Sequence, residues 1–527
     1  MKDMMDLSFT YYGSLLKNLQ DALDTGMSLA GATREKITAN ETYWNGIFKY
    51  INEFMTPFWI ALNSFTTTER EKLVRHTPHD NIRDYLELLQ FNLQVANKGA
   101  NSTARIMHDY HLKEISRAFS AWLNTMFQRE GEHIDEFVSR QARLLEKVVY
   151  EYPKAIDDIG PEFGFHFERD GYVKFAETDR FLLYQVLPNK KVKVREKGKP
   201  VIIIHPYVLG ANILAFLPNE GKSYVHAFAN QGIPTYVRIL KDIDTTPEVQ
   251  AMTGEDDALD TKFFCEQVMK RHGAQVTLNG FCQGGFIAAL NILTGELDGL
   301  VDALITCVAP MDGTRSKSLV EYMEHLPGRF RDLGYAEKDL PNGNKVVDGK
   351  VMSWVYKLKS MEKEAPLYTL YRDLMLFDGP DGKEVKITKT AAAMNHWLIY
   401  DRKDIPVAIT KMSFDSYTIP VAEDGTIPVT LFGRKLNFKD LAAKGIRFLI
   451  CCAQSDDLVD KESALAPVDY VDAEVTVFPK GHGAIATSWS EPNSEYAIQN
   501  RYSDGSRGPV RFQLDLELEM RGGKANG

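Results

Sequence analysis

Apolar residues recur at helical spacing through the first third of the chain and at strand spacing after it. Trp44, Ile47, Phe48, Ile51 and Phe54 fall on one face of a helix that Pro57 should stop. Thr68 with Glu71 makes a capping-box start, and beyond Pro78 the set Ile82, Tyr85, Leu86, Leu89 and Leu93 predicts another amphipathic helix. Leu112, Ile115, Phe119, Trp122 and Met126 repeat the period, as do Ile134, Phe137, Val138, Leu145 and Val148. Such stripes predict faces packed in a core or against a partner helix, not a cofactor box.

Near residue 170 the period changes. Phe181–Leu187 and Val201–Ile204 are short apolar runs around a basic segment, Lys190 to Lys199, which reads as a solvated hairpin or linker. From Val201 onward strands and helices alternate. Val201–Ile204, Thr235–Leu240, Val276–Leu278, Ala303–Val308, Phe448–Cys451 and Val475–Phe478 read as buried strands. Asp256–His272 and Phe286–Leu293 read as helices between them, which means a largely parallel sheet covered on both faces. The interval from Asp312 to about Ala443 is too long for a plain connection and predicts an inserted cap. The expected layout is therefore a helical domain over 1–170 and an α/β domain over 171–527, with the cap at about 313–443.

Composition narrows the possibilities. The 527 residues are 44% hydrophobic and 25% charged, a globular balance. A net charge of −10 argues against a nucleic-acid binder. The five cysteines (Cys265, Cys282, Cys307, Cys451 and Cys452) have no CxxC spacing, which argues against a disulfide framework and a zinc site, so no metal is expected. MKDMMDLSFT lacks the pattern of a signal peptide. Phe54–Phe65, the most apolar stretch, is interrupted by Thr56, Pro57, Asn63 and Ser64, so no transmembrane segment is expected. A cytoplasmic, reducing setting is the expectation.

The sharpest chemical signal is Gly280-Phe281-Cys282-Gln283-Gly284, between an apolar strand and the helical run FIAALNIL. This is a nucleophile elbow with cysteine in place of serine. The glycines are required because Cβ atoms beside so tight a turn would strike neighbouring strands. The turn also sets the sulfur at a helix N-terminus, where the dipole favours thiolate. An elbow nucleophile wants an acid and then a histidine further along the chain. GIRFLICCAQ runs into Ser455-Asp456-Asp457, and AEVTVFPK runs into Gly481-His482-Gly483. His482 is the expected base; of the two acids, Asp456, first past the strand, is preferred to Asp457. His205 ends the first parallel strand, whose loop normally supplies oxyanion donors.

These three motifs together resemble poly(3-hydroxyalkanoate) synthases. The similarity extends to Pro200–Asn212, Asp256-Asp257, Asn395-His-Trp397 and Asp415–Pro420, and covers roughly residues 170 to 490. The glycine loop, Asp457 after the acid, and the loop His205-Pro206-Tyr207-Val208 depart from the family pattern and place the chain in a divergent, class I-like branch. The resemblance implies an α/β-hydrolase fold and an acyltransferase working through a Cys282–Asp456–His482 triad. It implies 3-hydroxyacyl-CoA as substrate, polyhydroxyalkanoate polyester as product, and no permanently bound cofactor. The backbone N–H groups of Gln283 and Val208 are the expected oxyanion donors. For the N-terminal helices two roles stand equally open: homodimerisation or association with the granule surface, and simple packing on the α/β core. A thioesterase or polyester depolymerase with the same triad is the alternative activity, and a non-catalytic granule protein the alternative of another class.

Overall fold

The computed structural model describes residues 38–51, 77–189, 191–317, 319–320, 336–353, 360–379 and 383–514. The stop at Pro57, the capping box at Thr68 and Glu71, and the stretch Phe54–Phe65 lie outside them. Two compact units result. One comprises Met1–Thr56, Ala96–Ala155 and Met361–Ile387, and the other Pro57–Val95, Ile156–Ser360 and Thr388–Gly527.

The first unit is helical. Its helices include the part of Pro78–Phe127 from Ala96 onward, Ile134–Glu146 and Pro366–Phe377. The stripe expected to pack, Leu112, Ile115, Phe119 and Met126, is exposed instead. The buried face runs through Thr103, Met107, Tyr110, Glu114 and Ala121. Two of those five are polar, so a reading of apolar periodicity passes over the face. Glu114 is buried because Arg140 meets it at 3.4 Å. The segment 361–387, expected within the 313–443 interval of the α/β domain, falls in this helical unit instead.

Asp378 shows what holds the segment there. Its buried carboxylate meets Lys113 at 2.6 Å, Arg117 at 2.5 Å and Arg140 at 3.0 Å. Burial would raise its pKa, but the bond from Lys113 and the charge of Arg117 hold it below the usual carboxylate range. Asp378→Ala leaves Arg140 buried beside fewer acids. It should destabilise this unit by about 3 kcal/mol, read as an early transition in urea unfolding followed by circular dichroism.

The second unit is built on a sheet. Its strands are β1 (Tyr172–Glu177), β2 (Phe181–Val186), β3 (Val201–Ile204), β4 (Thr235–Leu240), β5 (Val276–Phe281) and β6 (Val301–Cys307). Then come a small sheet of β7 (Glu337–Asp339), β8 (Lys345–Val347) and β9 (Ile405–Pro406), and a hairpin of β10 (Thr426–Leu431) and β11 (Arg434–Asn437). The last two strands are β12 (Arg447–Ala453) and β13 (Glu474–Phe478). The main sheet has eight strands in the order β1-β2-β4-β3-β5-β6-β12-β13. β1 and β2 pair antiparallel and β2 pairs antiparallel with β4, while the pairs from β4 onward are parallel.

Every residue of β3 and β5 is buried, as continuous apolar strands covered on both faces must be. The helix Gly254–His272 starts on a capping box of Thr253 and Asp256 and stops at Gly273, whose φ of 69° suits only glycine well. The basic segment connects β2 to β3, and its last residue, Lys199, is buried against Asp302. Among the described residues no helix is long and apolar enough to cross a membrane.

Candidate active site

β5 ends at Phe281 and the buried helix Gln283–Leu293 begins one residue later. Cys282 joins them with φ 52° and ψ −128°, a conformation L-residues rarely adopt. Three glycines make room for it. A Cβ on Gly280 would lie 2.3 Å from the Gly284 carbonyl oxygen, one on Gly284 2.4 Å from that of Ile204, and one on Gly285 2.7 Å from Ala309 Cβ. Two backbone bonds hold the turn: Cys282 N–H donates to Cys307 O at 2.8 Å, and Gly285 N–H to Cys282 O at 2.9 Å. The nucleophile candidate is thereby fixed by the sheet itself.

The acid and the base follow the last two strands, which run parallel to β5 through β6. Asp456 follows β12, and His482 follows β13 in the short helix His482–Ala486. Asp456 Oδ2 lies 2.8 Å from His482 Nδ1. A carboxylate only accepts, so Nδ1 carries the proton and Nε2 is the ring's other face. Asp456 Oδ1 is held by the N–H groups of Leu458 and Val459, each at 2.9 Å. The adjacent Asp457 is exposed. Phe281 packs on the imidazole at 5.3 Å between centroids, so the elbow strand itself touches His482.

Nε2 is buried and makes no hydrogen bond of ordinary geometry among the described residues, while the Cys282 sulfur lies close enough to act on the ring. Burial alone would lower the His482 pKa. The charges of Asp456 and Cys282, with the Asp456 hydrogen bond, outweigh that and hold it well above 6.5. Burial likewise pushes Asp456 up, but the charge and hydrogen bond of His482 and the two loop N–H groups leave it below 3.8. An imidazolium–carboxylate pair of His482 and Asp456 is thus the arrangement that these charges favour.

The two expected oxyanion donors are placed differently. The Gln283 N–H opens the elbow helix, where amides have no intrahelical partner. The Val208 N–H is engaged: Gln283 Oε1 accepts from Tyr207 N–H at 3.0 Å and from Val208 N–H at 3.4 Å. The donor expected to face a substrate therefore faces a side chain of the elbow. His205 is structural. Its Nδ1 meets the Pro206 carbonyl and its Nε2 accepts from Leu240 N–H, and burial lowers its pKa to about 4. All five cysteines are free and buried, and burial raises Cys265 to about 12 and Cys452 to about 11.

Two features escaped the reading of the sequence. Tyr207, beside the oxyanion loop's Val208, buries its hydroxyl against Asp257 and Arg238. Arg238 meets Asp257 at 2.8 Å, and Asn291 of the elbow helix reaches the same carboxylate at 2.7 Å. An arginine inside the apolar strand TYVRIL was the available signal, because a buried charge demands a partner. From the helix Lys389–Tyr400, Trp397 Nε1–H donates to Leu209 O at 2.9 Å.

An eight-stranded sheet of this order, whose second strand runs antiparallel, carrying a nucleophile on a strained strand-to-helix turn with acid and histidine after the last two strands, defines the α/β-hydrolase fold. Neither a protein-family model nor a curated relative matches the sequence. Solved structures with some likeness include a carboxylesterase of Nitrososphaera gargenis, 16% identical, covering 60% of this chain and 92% of that one at a TM-score of 0.34. Proline iminopeptidase of Mycobacterium smegmatis is 12% identical, with 66% and 99% covered and a TM-score of 0.35. An esterase of Thermogutta terrifontis is 14% identical, with 66% and 98% covered and a TM-score of 0.30. At such scores the fold assignment rests on strand order and the elbow, not on these overlays.

Proposed function

We propose that this chain is an acyltransferase that polymerises 3-hydroxyacyl-CoA into polyhydroxyalkanoate with release of CoA. The observation that carries the reading is a cysteine on the strained elbow turn, beside an imidazole that Asp456 holds by a 2.8 Å hydrogen bond. The motif resemblance supplies the substrate class.

In the first half-reaction the Cys282 thiolate attacks the thioester carbonyl carbon. The C–S bond to cysteine forms, and the oxyanion meets the Gln283 N–H at the helix start. Collapse breaks the bond to CoA, whose sulfur takes the proton from His482 Nε2. Exchange between two thioesters is nearly balanced, which suits sulfur as nucleophile. In the second half-reaction His482 takes the proton of a 3-hydroxyl group, whose oxygen attacks an acyl-cysteine and forms the ester as the thiolate leaves. Asp456 keeps the Nδ1 tautomer and stabilises imidazolium in both. A permanent cofactor has no step here; the CoA thioester is substrate. A cytoplasmic place at polyester granules and homodimerisation belong to the same reading.

The test is product analysis with 3-hydroxybutyryl-CoA. CoA release with insoluble polyester is expected from the wild type, and neither from Cys282→Ala. CoA release with only free hydroxy acid would replace the synthase by the thioesterase or depolymerase alternative.

A further inference from the structure

The Gln283 side chain joins three elements. Its backbone is the first turn of the elbow helix, its Oε1 accepts from Tyr207 and Val208, and its Nε2–H donates to Ser413 Oγ at 2.8 Å. Ser413 belongs to the helix Val407–Thr418, inside the interval expected to form the cap. Two successive loop amides converging on one carbonyl-type oxygen have the form of an oxyanion site. Here the oxygen is the protein's own.

The partners differ in how freely they can move. The Tyr207 ring is fully buried, with its hydroxyl fixed by Asp257 and Arg238. The elbow backbone is fixed by the sheet and by the three glycine contacts. The carboxamide rests on rotatable side-chain bonds, and its outer anchor is one hydroxyl on the cap helix. A carbonyl oxygen approaching the Val208 N–H must displace it.

We infer that Gln283 is a positioning residue that couples the cap to the oxyanion site: its carboxamide caps the Tyr207 and Val208 amides while Ser413 holds it, and releases them when the cap helix shifts. This builds on the acyl-transfer reading, since it names what that site exchanges for the substrate carbonyl. A neutral amide oxygen is the weaker acceptor, so a developing oxyanion displaces it readily once the anchor is loosened.

Hydrogen exchange at the Tyr207 and Val208 amides tests the coupling without any turnover. Ser413→Ala and Gln283→Ala should each speed exchange there about fivefold, the effect of losing one ordinary hydrogen bond. The double variant should exchange no faster than Gln283→Ala, because one latch is being removed twice. Gln283→Glu keeps an acceptor toward the amides and should restore slow exchange. In turnover of 3-hydroxybutyryl-CoA, Ser413→Ala should lower KM several-fold, because less must be displaced. Wild-type exchange in Ser413→Ala, or additive effects in the double variant, would overturn the coupling. A wild type that releases no CoA would instead remove the acyl-transfer reading, while the exchange rates still decide the latch.

Discussion

Asp456→Asn should lower turnover by about four orders of magnitude, while Asp457→Asn should stay within about twofold of wild type. The contrast follows from position. Asp456 is buried, with one oxygen on His482 and the other on two loop amides, whereas Asp457 is exposed and makes no bond to His482. Asparagine at 456 can present its N–H to Nδ1, which leaves the imidazole in the tautomer that cannot accept the Cys282 proton. Steady-state CoA release by the two variants decides between the neighbours, and equal losses would mean that Asp456 has no special role.

The same pair makes stability depend on pH. The His482 pKa is raised on folding, so its contribution is complete below the ordinary imidazole value and fades as pH rises through the raised one. The Asp456 pKa is depressed, so its contribution is complete above the ordinary carboxylate value and fades as pH falls through the lowered one. The gap in Tm between wild type and Asp456→Asn should therefore be widest between roughly pH 4 and pH 6.5, and should narrow on either side. Thermal unfolding across that range measures it.

Gly284→Ala is expected to cost far more than a single methyl group on the surface would. Its Cβ would stand 2.4 Å from the Ile204 carbonyl oxygen and 2.8 Å from that of His205. Both are backbone atoms at the centre of the sheet, so neither can swing aside. A loss of about 3 kcal/mol or more is expected, a fall in Tm of roughly 6–12 °C. Gly483→Ala, beside the histidine, is the control. There the added Cβ meets only Met394 Cε at 3.4 Å, an ordinary contact with a flexible side chain, and Tm should hardly move. Equal Tm values for the two variants would show that the elbow is looser than its contacts require.

Much of the second unit was legible because its strands are continuous apolar runs. Val201–Ile204 and Thr235–Leu240 have the bounds expected, and the others differ only at their ends. The elbow was legible for a related reason, since only glycine permits so close an approach and glycines mark it in the sequence. The first unit was less so. A pattern of apolar spacing pointed to Leu112, Ile115 and Phe119, yet Thr103 and Glu114 lie on the buried face, where Arg140 meets the Glu114 carboxylate at 3.4 Å. Residues 361–387 follow the charge cluster at Asp378, whose four members come from three places in the chain.

By itself, then, the order of residues determined the parallel core, the bend that carries Cys282, and the chain positions of an acid and a histidine downstream. Local rules suffice there, because burial and backbone sterics act within a few residues. Tertiary structure alone decided which of two adjacent aspartates faces the imidazole, which helix face is covered, and that the Val208 amide is held by Gln283. Those outcomes depend on distances between segments far apart in the chain, and no local preference encodes them.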